Sequence, residues 1–304
     1  MSAKKPAIKP SGSSSAERRN RVVPLSFQLA GLTLNLLSRM HNEWASGVLA
    51  GLWFTVFKTR SKPWVADFWA SAQERFEVTV DAHSIPIHCW GQGPLIVVMH
   101  GWSGSGTQFR QFIVPLVAAG FRVAAFDAPA HGANPGRRTH LVNFTDSLFA
   151  IQARLGPINT VIAHSLGAMA TVYALRRGLG ADRSVLIAPH LDVQKMFDTF
   201  SYLLGMRPPL ARRFHDKIGA RMREILDGED PWLTLNPTAM LEASGFEGML
   251  VYDHQDPEVE QAQFDDIIRH WRGAEVLATD GLGHNRILKD ERVIGAVVEY
   301  LKPG

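Results

Sequence analysis

From Leu95 onward, short apolar runs alternate with stretches of helical periodicity, and this alternation constrains the fold more tightly than anything else in the sequence. The runs at 95–99 and 122–126 are almost continuously apolar, the pattern of strands covered on both faces in a parallel sheet. Between them Phe109, Phe112, Ile113, Leu116 and Val117 recur at helical spacing and close on Gly120. A helix at 144–155, a strand at 160–162, a helix at 168–177 and a strand at 184–187 continue the pattern. It resumes with strands at 249–252 and 275–278 and helices at 259–272 and 286–301. Upstream, Phe76, Val78 and Val80 share one face, as do Ile85, Ile87 and Cys89 beyond a turn at 81–84, which is a hairpin signal. The expected fold class is α/β: a mostly parallel, doubly wound sheet with an antiparallel N-terminal hairpin. From about 190 to 245 the alternation stops in favour of helical pieces at 191–204 and 210–226, so a helical insertion is expected there.

In such sheets functional groups collect beyond the carboxyl ends of the strands, and the stretch Val161, Ile162, Ala163, His164, Ser165, Leu166, Gly167 falls at such an end. It reads as strand, tight turn and helix, with Ser165 at the tip. A serine hydroxyl is a weak nucleophile at its free pKa and has to be held where a base and a carbonyl can both reach it. A sharp turn does this only with small residues two positions before and after, and Ala163 and Gly167 meet that demand. The competing reading is a serine that merely caps the following helix. Among the 12 histidines, His284 stands in the glycine-rich loop Asp280, Gly281, Leu282, Gly283, His284, Asn285, directly after the last expected strand. Two carboxylates, Asp253 and Asp256, stand in one loop just past another strand, with Pro257 fixing a turn behind the second.

Together these stretches resemble the α/β-hydrolase superfamily, whose nucleophile elbow is written Gly-x-Ser-x-Gly; here Ala163 replaces the first glycine. The resemblance implies a Ser165, Asp256, His284 triad, with Ser165 as nucleophile, His284 as general base and acid, and Asp256 as the triad acid, Asp253 being the fallback. It implies an oxyanion hole from the backbone N–H groups of Leu166 and Trp102, the latter following His100-Gly101. It further makes the insertion at 190–245 similar to the family's lid. His100 and His131 match positions that shape loops, although Ala130 stands where the family has glycine. The activity implied is serine hydrolysis of a carboxylic ester or related acyl bond of a small-molecule substrate, through an acyl-enzyme and with no cofactor. The alternative is a fold reused for binding or membrane association without catalysis.

Charge narrows the partners. Residues 1–21 carry Lys4, Lys5, Lys9, Arg18, Arg19 and Arg21 against Glu17, a net +5 that leaves the rest of the +3 chain at −2, so the body offers no nucleic-acid footprint. Asp253, His254 and Asp256 lack the histidine spacing of a metal site, so none is expected, and no phosphate-binding glycine fingerprint follows the first parallel strand. Cys89 is the sole cysteine, which fits a reducing cytoplasm. The expected organisation is a disordered basic tail at 1–21, an apolar helical extension at 22–70, and the hydrolase-like domain at 71–304. Within the extension, apolar runs at 22–38 and 45–57 read as a pair of helices packed on the body; peripheral membrane contact through residues 22–62, and a secretory signal, stand as alternatives. Oligomeric state and acyl-chain preference leave no mark in the sequence.

Overall fold

In the computed structural model, which describes residues 25–58, 60–242 and 245–302, the chain opens with helices α1 (Leu25–Trp53) and α2 (Trp64–Ala70). The expected pair of helices across 22–57 forms as the two segments of α1, which meet at a kink where His41 leaves helical geometry at φ −138° and ψ 68°. The basic tail at 1–21 lies outside the described residues. Strands β1 (Glu74–Val80) and β2 (His83–Trp90) pair in register from Val80↔His83 to Glu74↔Cys89. The turn needs only Asp81 and Ala82, at φ 47° and 60°, so it is shorter than expected: two left-handed residues match the twist of the flanking strands.

Next come β3 (Leu95–Met99), α3 (Arg110–Ala118), β4 (Arg122–Phe126), α4 (Leu141–Leu155), β5 (Ile158–His164), α5 (Leu166–Arg176) and β6 (Ala181–Ile187). An insertion follows that holds, among the described residues, four helices: α6 (Val193–Leu203), α7 (Pro208–Ile225), α8 (Pro231–Thr234) and α9 (Pro237–Leu241). The last three begin with proline at the first helical position, where no N–H is needed. The chain then returns to the sheet with β7 (Glu247–Asp253), α10 (Gln261–His270), β8 (Glu275–Thr279), α11 (Gly283–Arg286) and α12 (Glu291–Leu301). A single final helix from 286 is not what forms. The Asp290 carboxylate caps α12 by accepting from the N–H groups of Arg292 and Val293, and the residue itself is extended, so the helix restarts there.

Among the described residues one eight-stranded sheet results, in the order β1-β2-β4-β3-β5-β6-β7-β8. The hairpin joins antiparallel to β4, and every pairing from β4 through β8 is parallel. Because strand side chains alternate between faces, each continuous apolar run supplies two cores. Leu95, Val97, Met99, Val161 and Ala163 face the layer that holds Phe144 and Leu148 of α4 and Met169 of α5. Ile96, Val98 and Ile162 face the opposite layer, with Phe112 and Leu116 of α3 and Val297 of α12. Helices on both faces leave the strand ends as the place where loops can converge.

α1 packs on the insertion. Trp53 meets Phe200 and Phe214 edge-on, at ring separations of 5.5 and 6.0 Å. The Asn35 side-chain amide donates to the Gly205 carbonyl at 2.9 Å and accepts from the Arg207 N–H at 2.8 Å, while Glu43 pairs with Arg213 and Lys217.

Candidate active site

Four loops converge at the carboxyl edge of the parallel strands. The first is the β5-α5 turn, where Ser165 takes φ 54° and ψ −121°, a left-handed conformation that costs energy for any residue bearing a Cβ. It is the one residue from Thr160 to Ala174 that is only partly buried; every neighbour is buried. Its side chain makes no capping bond to α5, which removes the helix-cap reading. The turn is held by main chain: Ser165 N–H donates to Ile187 O, and Ser165 O accepts from Ala168 and His190. The elbow fits tightly against the end of β3. A Cβ on Gly167 would sit 2.5 Å from the His100 carbonyl oxygen, and one on Gly101 would sit 2.8 Å from Ser165 Cβ.

The second loop runs from His100 to Gly106. His100 Nδ1 donates to Gly101 O at 2.7 Å while its Nε2 accepts from Ala128 N–H at 2.9 Å. His131 Nδ1 lies 3.0 Å from Pro129 O, and its Nε2 accepts from Ser103 N–H at 3.0 Å. Asp127 anchors the same loop by accepting from the Ser105 hydroxyl at 2.7 Å and Gly106 N–H at 2.9 Å. Both histidines therefore tie this loop to the one after β4, as expected of loop-shaping residues. Asp127 belongs to that framework as well; its place in the same stretch as His131 is the only sequence signal for it. The Trp102 N–H donates to no backbone carbonyl among the described residues, and Leu166, as the first residue of α5, has no intrahelical acceptor for its own.

The third and fourth loops bring His284 and Asp256 together. His284 Nδ1 lies 2.8 Å from Asp256 Oδ2, with both side chains buried. An ionised carboxylate can only accept, so Nδ1 carries the proton and Nε2 is left as the basic atom. The other oxygen, Asp256 Oδ1, accepts from the N–H groups of Glu258 and Val259 at 2.7 and 3.0 Å, which aims the carboxylate. Asp253, buried at the end of β7, is spent locally. It accepts from Gln255 N–H, the Thr279 hydroxyl and Leu282 N–H at 2.8 to 2.9 Å, and so ties β7 to the loop that carries His284. Burial pushes its pKa up, but these donors outweigh that and hold it below the ordinary carboxylate value.

His164 links the elbow to the His284 loop: its Nε2 donates to the His284 carbonyl at 2.9 Å, and the two rings lie 4.7 Å apart. One residue here carried no sequence signal beyond sharing the Asp256 loop. Glu258 Oε2 lies 3.5 Å from His284 Nε2. Burial lowers the His284 pKa, but the Asp256 hydrogen bond and the charges of Glu258 and Asp256 outweigh it and set the group above its ordinary value. Among the described residues no group of three or more His, Cys, Asp or Glu side chains is arranged to hold a metal.

A model of the alpha/beta hydrolase family matches residues 96–296. The chain belongs to that family. A non-heme haloperoxidase of Rhodococcus erythropolis is 32% identical over 126 residues, 39% of this chain; the match spans 46% of that curated relative, about half its length. Among solved structures, an esterase of Pyrococcus furiosus superposes with a TM-score of 0.59 at 17% identity, covering 82% of this chain and 96% of that one. The esterase of Exiguobacterium antarcticum does so with a TM-score of 0.57 at 14% identity, covering 76% and 100%. At these identities the likeness is one of fold. In this alpha/beta hydrolase the sheet is mostly parallel with the hairpin at its antiparallel edge, as the alternation of runs predicts.

The buried histidines have a consequence for stability. Burial depresses His100 to about 4 and His131 and His164 to about 3, against roughly 6.5 in the unfolded chain. Below pH 6.5 the unfolded state therefore binds protons that the native state refuses, and stability falls with pH. Three such groups remove about 6 kcal/mol between pH 7 and pH 5. His284 has the opposite sign: its contribution is fully present below about 6.5 and is lost as pH rises through its raised native value, so it offsets only part of the loss. Urea midpoints at the two pH values should differ sharply, and equal midpoints would exclude burial of these neutral rings.

Proposed function

We propose that this protein is a serine hydrolase that cleaves a carboxylic ester or related acyl bond of a small molecule through an acyl-enzyme on Ser165. The observation that carries the reading is the buried Asp256–His284 pair, with its basic Nε2 on a loop bonded through His164 to the elbow that exposes Ser165. The esterase names of the similar structures agree with acyl chemistry.

In this mechanism Ser165 Oγ attacks the carbonyl carbon as its proton passes to His284 Nε2. The carbonyl π pair moves onto oxygen, and the resulting oxyanion accepts hydrogen bonds from Leu166 and Trp102 N–H at the positive end of α5. Asp256 stabilises the imidazolium without taking its proton. Collapse breaks the bond to the leaving alkoxide, which takes the proton from His284, and the acyl group stays on Ser165. Water then gives a proton to His284 as it attacks the acyl carbon, and the carboxylic acid departs as Ser165 regains its proton. No cofactor enters. The four-helix insertion would act as the lid, with Phe197 and Phe200 packed inside it against Trp53 of α1 and Phe214 of α7.

Only neutral His284 can take the serine proton, so the raised pKa fixes the sign of the pH dependence: kcat/KM should rise with an apparent midpoint above the ordinary histidine value of about 6.5. The check is the hydrolysis of p-nitrophenyl acyl esters of graded chain length across pH. Glu258→Gln removes one of the charges that raise the midpoint and should shift it downward. Failure to hydrolyse any ester of the series would remove the proposed function, and a midpoint below 6.5 would remove His284 as the titrating base.

A further inference from the structure

We propose that the outward face of α1 is a docking surface for anionic lipid, on which the protein rests with this helix lying in the plane of the membrane interface. Helix α1 is apolar on two opposite faces, more than one protein contact can use. One face is committed to the insertion through Gly31, Leu34, Asn35, Ala45 and Leu49, all buried. The other presents Leu25, Leu29, Leu32, Leu36 and Met40, spaced by three or four residues, at 68, 55, 57, 52 and 78% exposure. Trp44, past the kink, extends the exposed set. From Leu25 to Ser38 the helix holds no charged residue, whereas a helix that rests its outer face in water carries its polar residues there.

No helix among the described residues is long and apolar enough to cross a membrane, so the geometry suits insertion into the interface and not through it. Charge selects the partner. Residues 1–21, which precede the helix in the sequence, hold six basic side chains against Glu17, while the rest of the chain is slightly acidic. A basic segment that precedes an apolar helical face in the sequence supplies the two attractions that anchor a peripheral protein on anionic lipid, each too weak alone. A second copy of the chain seated on the same face would instead bring two +5 segments together.

The test is co-sedimentation of the full-length protein with vesicles of phosphatidylcholine alone and of phosphatidylcholine mixed with phosphatidylglycerol. The protein should pellet with the mixed vesicles and much less with the neutral ones. Leu32→Ser combined with Leu36→Ser should reduce partitioning by about tenfold or more with an unchanged thermal midpoint, because both side chains lie outside the core. Arg18→Ser, Arg19→Ser and Arg21→Ser together should abolish the preference for the anionic vesicles. Three results would overturn the proposal: full-length protein that stays in the supernatant, a Leu32/Leu36 variant that pellets equally well, or a stable dimer in sedimentation velocity that those two substitutions dissociate. The readout is binding alone and is independent of what Ser165 does.

Discussion

Ser165→Ala should lower ester turnover by roughly 10⁶-fold while leaving the thermal midpoint almost unchanged. The large kinetic effect follows from removing the only atom that forms the covalent bond; the N–H groups of Leu166 and Trp102 remain to bind a carbonyl but have no nucleophile beside them. The small structural effect follows from what the side chain does not do. Its hydroxyl caps no helix, and the turn is held by the bonds from Ser165 N–H to Ile187 and from Ala168 and His190 to Ser165 O, which alanine preserves. Alanine also occupies the same left-handed φ that serine already tolerates. A variant that kept even a hundredth of the wild-type rate would place the nucleophile elsewhere.

Asp256→Asn should lower kcat by about 10⁴-fold with little loss of stability, and Asp253→Asn should do the reverse. At position 256 the Oδ1 contacts to Glu258 and Val259 N–H can be kept by an amide oxygen, but the group facing His284 becomes an NH₂ donor. Nδ1 must then accept, the proton moves to Nε2, and the basic atom is lost. At position 253 the carboxylate hydrogen-bonds to no histidine among the described residues; its Oδ2 receives both the Thr279 hydroxyl and Leu282 N–H. An amide cannot accept on both sides of this buried site, which costs about 2–4 kcal/mol in unfolding free energy and loosens the loop that carries His284. Steady-state kinetics and urea unfolding on both variants separate the roles, and a larger kcat loss for Asp253→Asn would transfer the acid's role to that residue.

The sheet was legible because its central strands are apolar on successive residues, and only a position covered on both faces explains that. The elbow was legible because small residues flank a lone serine at a strand end. Asp253 and Asp256 could be ranked only by their places relative to β7 and Pro257, since which carboxylate reaches His284 is fixed by donors 26 to 29 residues away at Thr279 and Leu282. The two segments of α1 were legible because the polar and charged residues between the apolar runs at 22–38 and 45–57 coincide with the kink at His41. Asn35 belongs in the helix because Gly205 and Arg207 bond its side chain, a contact across 170 residues that no local pattern encodes. Glu258 was invisible for the same reason: its place beside Nε2 depends on how two distant loops meet.

The most direct test of a covalent Ser165 intermediate is intact-protein mass spectrometry after rapid acid quench of the enzyme with an excess of p-nitrophenyl acyl ester. The mechanism predicts a species heavier by one acyl group in place of one hydrogen, formed with a burst of p-nitrophenolate. Peptide mapping should place it on Ser165, and Ser165→Ala should lack it. Steady hydrolysis with neither burst nor adduct, or an adduct that persists in Ser165→Ala, would contradict it.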